Sequence, residues 1–250
     1  MLPKTALLAS WILLNTATMT DADIVAYDAS SGLLPQSVGW TYTDQATPPA
    51  TAGVSGGILT LDSGVGNRAT WDLSPVPGTL GNDGIFVEAT ARVIDEQHAR
   101  GDRGAGLSHA GHADDVIESG VDLYAWEDRI FLNDSNDITV GTHFMDTTDA
   151  LHAYRIELLR TRYWVFVDDN LVLGGTSQVY PTTLNGIEGG FGDGSIYSGS
   201  ITEWTKITIG SLADIGGPTI PEPSTLILSA FAILGFAGHG WRRRQQKRYA

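Results

Sequence analysis

The stretch Tyr154-Arg155-Ile156-Glu157-Leu158-Leu159-Arg160-Thr161-Arg162-Tyr163-Trp164-Val165-Phe166-Val167-Asp168-Asp169-Asn170-Leu171-Val172-Leu173 alternates with a period of two. Tyr154, Ile156 and Leu158 fall on one side and Arg155 and Glu157 on the other, the pattern of a strand with one packed face and one wet face. Arg160-Thr161-Arg162 turns the chain, after which Tyr163, Val165 and Val167 oppose Trp164 and Phe166. Asp168-Asp169-Asn170 turns it again into Leu171-Val172-Leu173. Asp169-Asn170 stands where a tight turn often needs positive φ, a conformation Asn accepts better than most residues. Two turns joining three strands predict an antiparallel meander.

The same texture extends outward from the meander. Short apolar-patterned runs predict strands at Ile24 to Asp28, Gly57 to Leu61, Arg68 to Leu73, Ile85 to Ile94, Gly104 to Ser108, Ser119 to Trp126 and Arg129 to Leu132. The meander and the runs Gly186 to Phe191 and Ile201 to Ile209 follow, with turn residues between them. Glu96 to Asp115, apart from the short run at its centre, reads as a flexible surface loop. Thirty glycines and ten prolines are spread along 250 residues, which favours many strands joined by turns over helices. The expected fold is all-β: one jelly-roll β-sandwich of two antiparallel sheets over residues 23–210.

Charge is unevenly placed. Five of the 15 basic residues sit in the last nine positions, leaving 9 Lys and Arg against 27 Asp and Glu between Asp23 and Ile220, a net of −18. A body so acidic repels phosphate backbones, so nucleic acid is excluded as a partner. Neutral polymers and divalent cations remain compatible with it. Cysteine is absent, which removes thiol catalysis and thiolate metal sites.

Both ends read as membrane addresses. Lys4, an apolar run from Ala6 to Leu14 and a small-x-small exit predict a secretory signal peptide over residues 1–22, with cleavage after Ala22 or, alternatively, Ala17. At the other end Ser211 to Ile220 forms a linker, followed by Pro221-Glu222-Pro223, an apolar stretch from Thr225 to Trp241 and Arg242-Arg243-Arg244. Those 17 apolar residues reach roughly 25 Å as a helix, enough to span a bilayer with Trp241 and snorkelling arginines as anchors. The basic cluster marks the cytoplasmic side and leaves the body outside.

Pro221-Glu222-Pro223, the short apolar helix and Arg242-Arg243-Arg244, in that order over residues 221–250, resemble the PEP-CTERM sorting signal. That resemblance implies an exosortase-type membrane protease as partner, the Pro-Glu-Pro triplet as its recognition element, and a bacterium that makes extracellular polysaccharide. An ordinary single-pass anchor is the alternative. Within the body, Tyr154 to Glu157 leading to Val165 to Asn170, Gly189-Gly190-Phe191-Gly192-Asp193-Gly194 with Ile201 to Ile209, and Tyr27 to Pro35 with Gly39-Trp40 resemble concanavalin A-like lectin/glucanase and laminin G-like domains. This likeness implies the sandwich, and sugar as the class of ligand.

Hydrolysis on such a fold requires two same-face carboxylates about 5 Å apart. No Glu-x-Asp-x-Glu run occurs, so catalysis is not expected, and Glu118, Asp122 and Glu127 are the residues that would test it. Binding needs only exposed rings beside hydrogen-bonding groups. Asp122, Tyr124 and Trp126 share one face of their strand and form the candidate ligand surface, plain packing being the alternative; Trp40, Trp71, Trp164 and Trp204 are assigned to packing. Asp134, Asn136 and Asp137 offer the hard oxygens of a structural Ca²⁺ site, a solvated acidic turn being the other reading. His109 and His112 lack a third zinc ligand. The resulting expectation is an exported surface or matrix protein whose sandwich binds extracellular polysaccharide. A purely structural envelope protein and a divergent glycoside hydrolase are the rivals.

Overall fold

Alternation at residues 154–167 produces the pairing it demands. β11 (His152–Leu159) runs antiparallel to β12 (Arg162–Val167) from Tyr154 opposite Val167 to Leu159 opposite Arg162, and β12 pairs with β13 (Asn170–Thr176). Both turns are one residue tighter than expected. Because Leu159 pairs with Arg162 and Val167 with Asn170, each loop holds two residues, and such loops need left-handed backbone. Positive φ accordingly falls at Arg160 (55°), Asp168 (49°) and Asp169 (62°), not at Asn170, whose side-chain amide instead donates to the Asp168 carbonyl at 2.9 Å.

The computed structural model describes residues 25–45, 48–64, 68–73, 84–96, 105–113, 117–134, 138–176, 179–181, 186–194 and 199–212, with the side chains of 25–26, 108–119 and 179–188 outside that description. One sheet has the order β13, β12, β11, β6 (Ile85–Glu96), β16 (Ser200–Ser211), β4 (Ile58–Asp62), β3 (Thr51–Ser55). β1 (Val25–Asp28) pairs with β16 beyond the end of β4. The second sheet has the order β10 (Thr139–Phe144), β9 (Arg129–Asp134), β8 (Ile117–Trp126), β7 (Ala105–Ala113), β15 (Gly186–Asp193), β5 (Ala69–Leu73), β2 (Thr41–Asp44). β14 (Val179–Pro181) pairs with the first residues of β8. Every pairing among these strands is antiparallel, so the architecture is the expected two-sheet jelly-roll sandwich.

Two differences stand out. Ala105–Ala113 is one continuous strand between β8 and β15, whereas the sequence points to a loop beyond Ser108. Its Gly, Ala and His residues show no alternation, and ladder hydrogen bonds from both neighbours hold it extended. β2, β3, β10 and β14 are also additional; they are short strands at the sheet margins, with few apolar residues to announce them. The expected signal peptide (1–22), most of the linker (211–220), the sorting motif (Pro221, Glu222, Pro223, Arg242, Arg243, Arg244) and the membrane span (225–241) lie outside the described residues. Among the described residues no helix is long and apolar enough to cross a membrane.

Between the sheets an aromatic knot fills the core around Phe191 of β15. Its ring stacks on Trp71 at 5.2 Å and Tyr27 at 6.2 Å, meets the edge of Trp40 at 5.2 Å and tilts against Trp204 at 5.0 Å. Three of these rings hydrogen-bond through their polar corners: Trp71 Nε1 donates to Gln36 Oε1, Trp204 Nε1 to Thr202 Oγ1 and the Tyr27 hydroxyl to the Leu33 carbonyl. Burial, then the neighbouring Asp28, raises the Tyr27 phenol to about 12. Flanking Phe191, Gly192 holds φ at 126°, and a Cβ there would collide with the Ala69 carbonyl, so only glycine fits.

Strand directions give the sandwich two distinct ends. β1 enters beside the exit of β16, with Val25 opposite Ile209. Leu212 is buried there and donates its amide to the Gly84 carbonyl. At the far end Asp193 closes one sheet onto the other, its carboxylate accepting from the Ser63 and Ser200 hydroxyls. We expect Phe191→Ala to lower unfolding stability by about 3–5 kcal/mol in denaturant titration, the range for truncating a buried aromatic. A loss below about 1 kcal/mol would show that the knot does not organise the core.

Candidate functional site

Along β8, Val121, Leu123 and Ala125 are buried in the core, which turns Asp122, Tyr124 and Trp126 to the outer face of the second sheet. Pairing with β9 sets Asn133, Phe131 and Arg129 beside them in that order, and β10 adds Thr142 next to Phe131 and Phe144 next to Arg129. The three predicted ligand residues are thus brought onto one surface, but their surroundings differ.

Tyr124 is sealed, only 3% exposed. Its ring stacks on Phe131 at 5.6 Å, and on its other side runs the bare backbone of Gly194, where a Cβ would lie 2.9 Å from Tyr124 Cε1. The phenol donates to Asp122 Oδ2 at 3.4 Å. Tyr124 therefore presents no open ring face to solvent. Trp126 is half-buried and meets the edge of Phe131 at 5.3 Å.

At the tip of the β8–β9 hairpin the geometry changes. The two-residue turn Glu127-Asp128 pairs Trp126 with Arg129, and the guanidinium lies 4.6 Å from the Trp126 ring centroid and 4.9 Å from that of Phe144. Asp128 fixes it there, accepting from Nε at 2.7 Å and Nη2 at 2.9 Å, a pairing that raises the arginine's proton affinity. Phe144 is 69% exposed. The result is a cation held between two rings, with an open aromatic face and a carboxylate-guanidinium pair beside it. Such a rung stacks an apolar ring face and hydrogen-bonds hydroxyls around it.

Sequence reading did not find Arg129 or Phe144. The Trp-Glu-Asp-Arg hairpin turn carried a usable signal for Arg129, since a two-residue loop forces residues 126 and 129 into register. Phe144 carried none, because Thr139–Phe144 has no apolar period.

The other predicted positions lie apart from this rung. Glu118 and Asp122 are four residues apart on β8. Glu127 is exposed in the turn. Asp134 is buried and caps the β9–β10 connection, its Oδ1 accepting from the Ile138 amide at 3.1 Å. Asn136 and Asp137 lie outside the described residues, among which no group of three or more acidic or histidine side chains converges as a metal site. The backbones of His109 and His112 pair with Asp122 and Ser119 within the second sheet.

Residues 219–244 match the PEP-CTERM protein-sorting motif. No curated protein matches the chain by sequence. Among solved structures, the apo Crh5 transglycosylase is similar with a TM-score of 0.50 and 13% identity over 76% of this chain and 85% of that one. Crh5 transglycosylase in complex with NAG gives a TM-score of 0.50 and 12% identity over the same shares. A Bacillus subtilis protein of unknown function with a galectin-like fold gives 0.49 and 10%, over 74% of this chain and 94% of that one. At such identities the likeness is one of fold. We expect Tyr124→Ala to lower the melting temperature by several degrees, as truncation of a buried aromatic does in a domain of this size, whereas Phe144→Ala leaves it within about one degree. Equal shifts in a thermal melt would contradict the division into a sealed and an open half.

Proposed function

We infer that the PEP-CTERM sorting motif at residues 219–244 marks this chain as exported and sorted to the envelope. We propose that its sandwich is a non-catalytic module that holds a neutral extracellular polysaccharide at the Trp126–Arg129–Phe144 rung, and that an exosortase-type protease reads Pro221, Glu222 and Pro223. One observation carries the binding part: an exposed aromatic face with a fixed donor-acceptor pair beside it, on the end of the sandwich opposite the C-terminal exit. The net charge of −18 between residues 23 and 220 favours uncharged over anionic polymers. Asp122, with Tyr124 behind it, extends the surface along the strand. The sandwich shared with a transglycosylase supplies a scaffold and leaves the chemistry to these residues.

Affinity electrophoresis of residues 23–220 in gels cast with neutral and acidic polysaccharides tests this reading. We expect retardation by a neutral polymer, weakened about tenfold by Trp126→Ala or Phe144→Ala, equivalent to about 1.4 kcal/mol. Retardation by no polymer would leave the structural envelope reading, and release of reducing sugar lost on changing Glu118 or Glu127 would establish hydrolysis instead. Replacing Pro221, Glu222 and Pro223 with alanine should leave the precursor uncleaved in the membrane fraction. Processing at the normal rate would remove the triplet as a recognition element.

A further inference from the structure

The segment 145–151 joins β10 of one sheet to β11 of the other and is fastened to both. Thr147, fully buried, donates its hydroxyl to the Trp126 carbonyl at 2.7 Å and its amide to the Glu127 carbonyl at 3.1 Å, while its own carbonyl accepts from the Val93 amide of β6. Met145 donates its amide to the Asp128 carbonyl. This loop is therefore the backbone seat of the hairpin tip that carries Trp126 and Arg129.

His152 adds a side-chain clamp to these backbone bonds. Nδ1 lies 2.7 Å from Asp168 Oδ2 in the β12–β13 turn and Nε2 lies 2.9 Å from Asp149 Oδ1 in the loop. Carboxylates accept and do not donate, so both ring nitrogens must carry protons for both bonds to form. A neutral imidazole has one donor and would turn a lone pair toward one carboxylate. Asp168 is itself fixed, with Oδ1 accepting from the Ala153 amide at 3.0 Å.

We propose that His152 is a protonation-dependent bolt: as imidazolium it ties the 145–151 loop to the β12–β13 turn and so positions the Trp126–Arg129 hairpin tip, and on losing a proton it releases the loop.

Other charged groups around the bolt are accounted for. Asp146, in the loop, accepts from the Thr148 amide and hydroxyl. On β11 the edge of Tyr154 meets the imidazole at 6.0 Å, and burial followed by the charges of Asp168, Asp149 and Asp146 pushes its phenol well up. On β6 the register partner is Ala91, and Arg92 beside it pairs with Glu203 at 2.7 Å. Asp169 and Glu88 engage Arg155, and Asp128 engages Arg129. Asp149 and Asp168 are thus the carboxylates left to His152.

Burial alone would draw the His152 proton affinity down, and the hydrogen bonds to Asp168 and Asp149 more than reverse this, leaving it above the usual 6.5. The bolt's contribution is therefore complete below 6.5 and fades as pH rises through the elevated value. Asp168 is held below 3.8: burial acts against this, and the bonds from His152 and the Ala153 amide outweigh it, so the stability from its charge is lost only as pH falls through that lowered value.

The inference goes beyond the sugar-binding reading, and its test needs no ligand, so either can fail alone. Amide hydrogen exchange of the full chain in detergent, corrected for intrinsic rates, is followed by mass spectrometry between about pH 5 and 9. We expect exchange in peptides covering 145–151 to rise about tenfold through the His152 titration, with the Val93 amide that donates to Thr147 following it, while the β16 amides stay protected. His152→Gln should show the released rate at every pH, and Asp149→Asn should move the midpoint down. A flat wild-type profile, or an unchanged pH dependence in either variant, would overturn the proposal; a merely structural histidine would alter the rate without moving a midpoint.

Discussion

Phe191 is the constraint on which the molecule depends. Four aromatic rings from four separate parts of the chain meet it: Tyr27 from the first strand, Trp40 from the segment after it, Trp71 from β5 and Trp204 from the last strand. No two of these are sequence neighbours, so the knot is a non-local contact that forms only when both sheets have docked. Because aromatic side chains bury large areas, it also fixes the spacing and relative slide of the sheets at that point. The glycines around Phe191 follow from it. A ring aimed into the core at 191 turns residues 190 and 192 to the other face, where β5 approaches too closely for a Cβ.

From that knot toward the far end the fastenings become polar. Asp193 with Ser63 and Ser200, then Thr147 with the carbonyls of Trp126 and Glu127, join one sheet to the other where apolar side chains give out. The Asp193 carboxylate and the Ser63, Ser200 and Thr147 hydroxyls are tolerated there because each finds a partner, and hydrogen bonds are directional where apolar packing is not. The hairpin tip is thus held in one orientation by its backbone, leaving the Trp126 and Phe144 side chains to face outward.

Legibility in the sequence followed burial. Residues 154–167 were readable because one face meets the core and the other meets Arg155 and Glu157, so the period appears in the residue types. Phe86, Trp164 and Phe166 show the limit of that logic: they lie on the opposite face yet are also buried, Phe166 beneath the Arg155 guanidinium at 4.6 Å. β7 escaped notice because glycine and alanine carry no period, and its strand character comes from neighbours more than seventy residues away as well as from the adjacent hairpin. At the site, alternation placed Asp122, Tyr124 and Trp126 on one face, while the sealing of Tyr124 by Gly194 and the arrival of Phe144 from another strand depend on long-range pairing that no local pattern records.

β16, the last strand, sits in the interior of its sheet, pairing with β6 on one side and with β4 and β1 on the other. A chain emerging N-terminus first therefore lacks the central stave of that sheet until residue 211 is through, with β4 and β6 left without the strand that lies between them. High contact order of this kind delays native pairing until that last strand has emerged. The topology in effect keeps the sandwich threadable until its closing stave is through, and only then lets it snap shut.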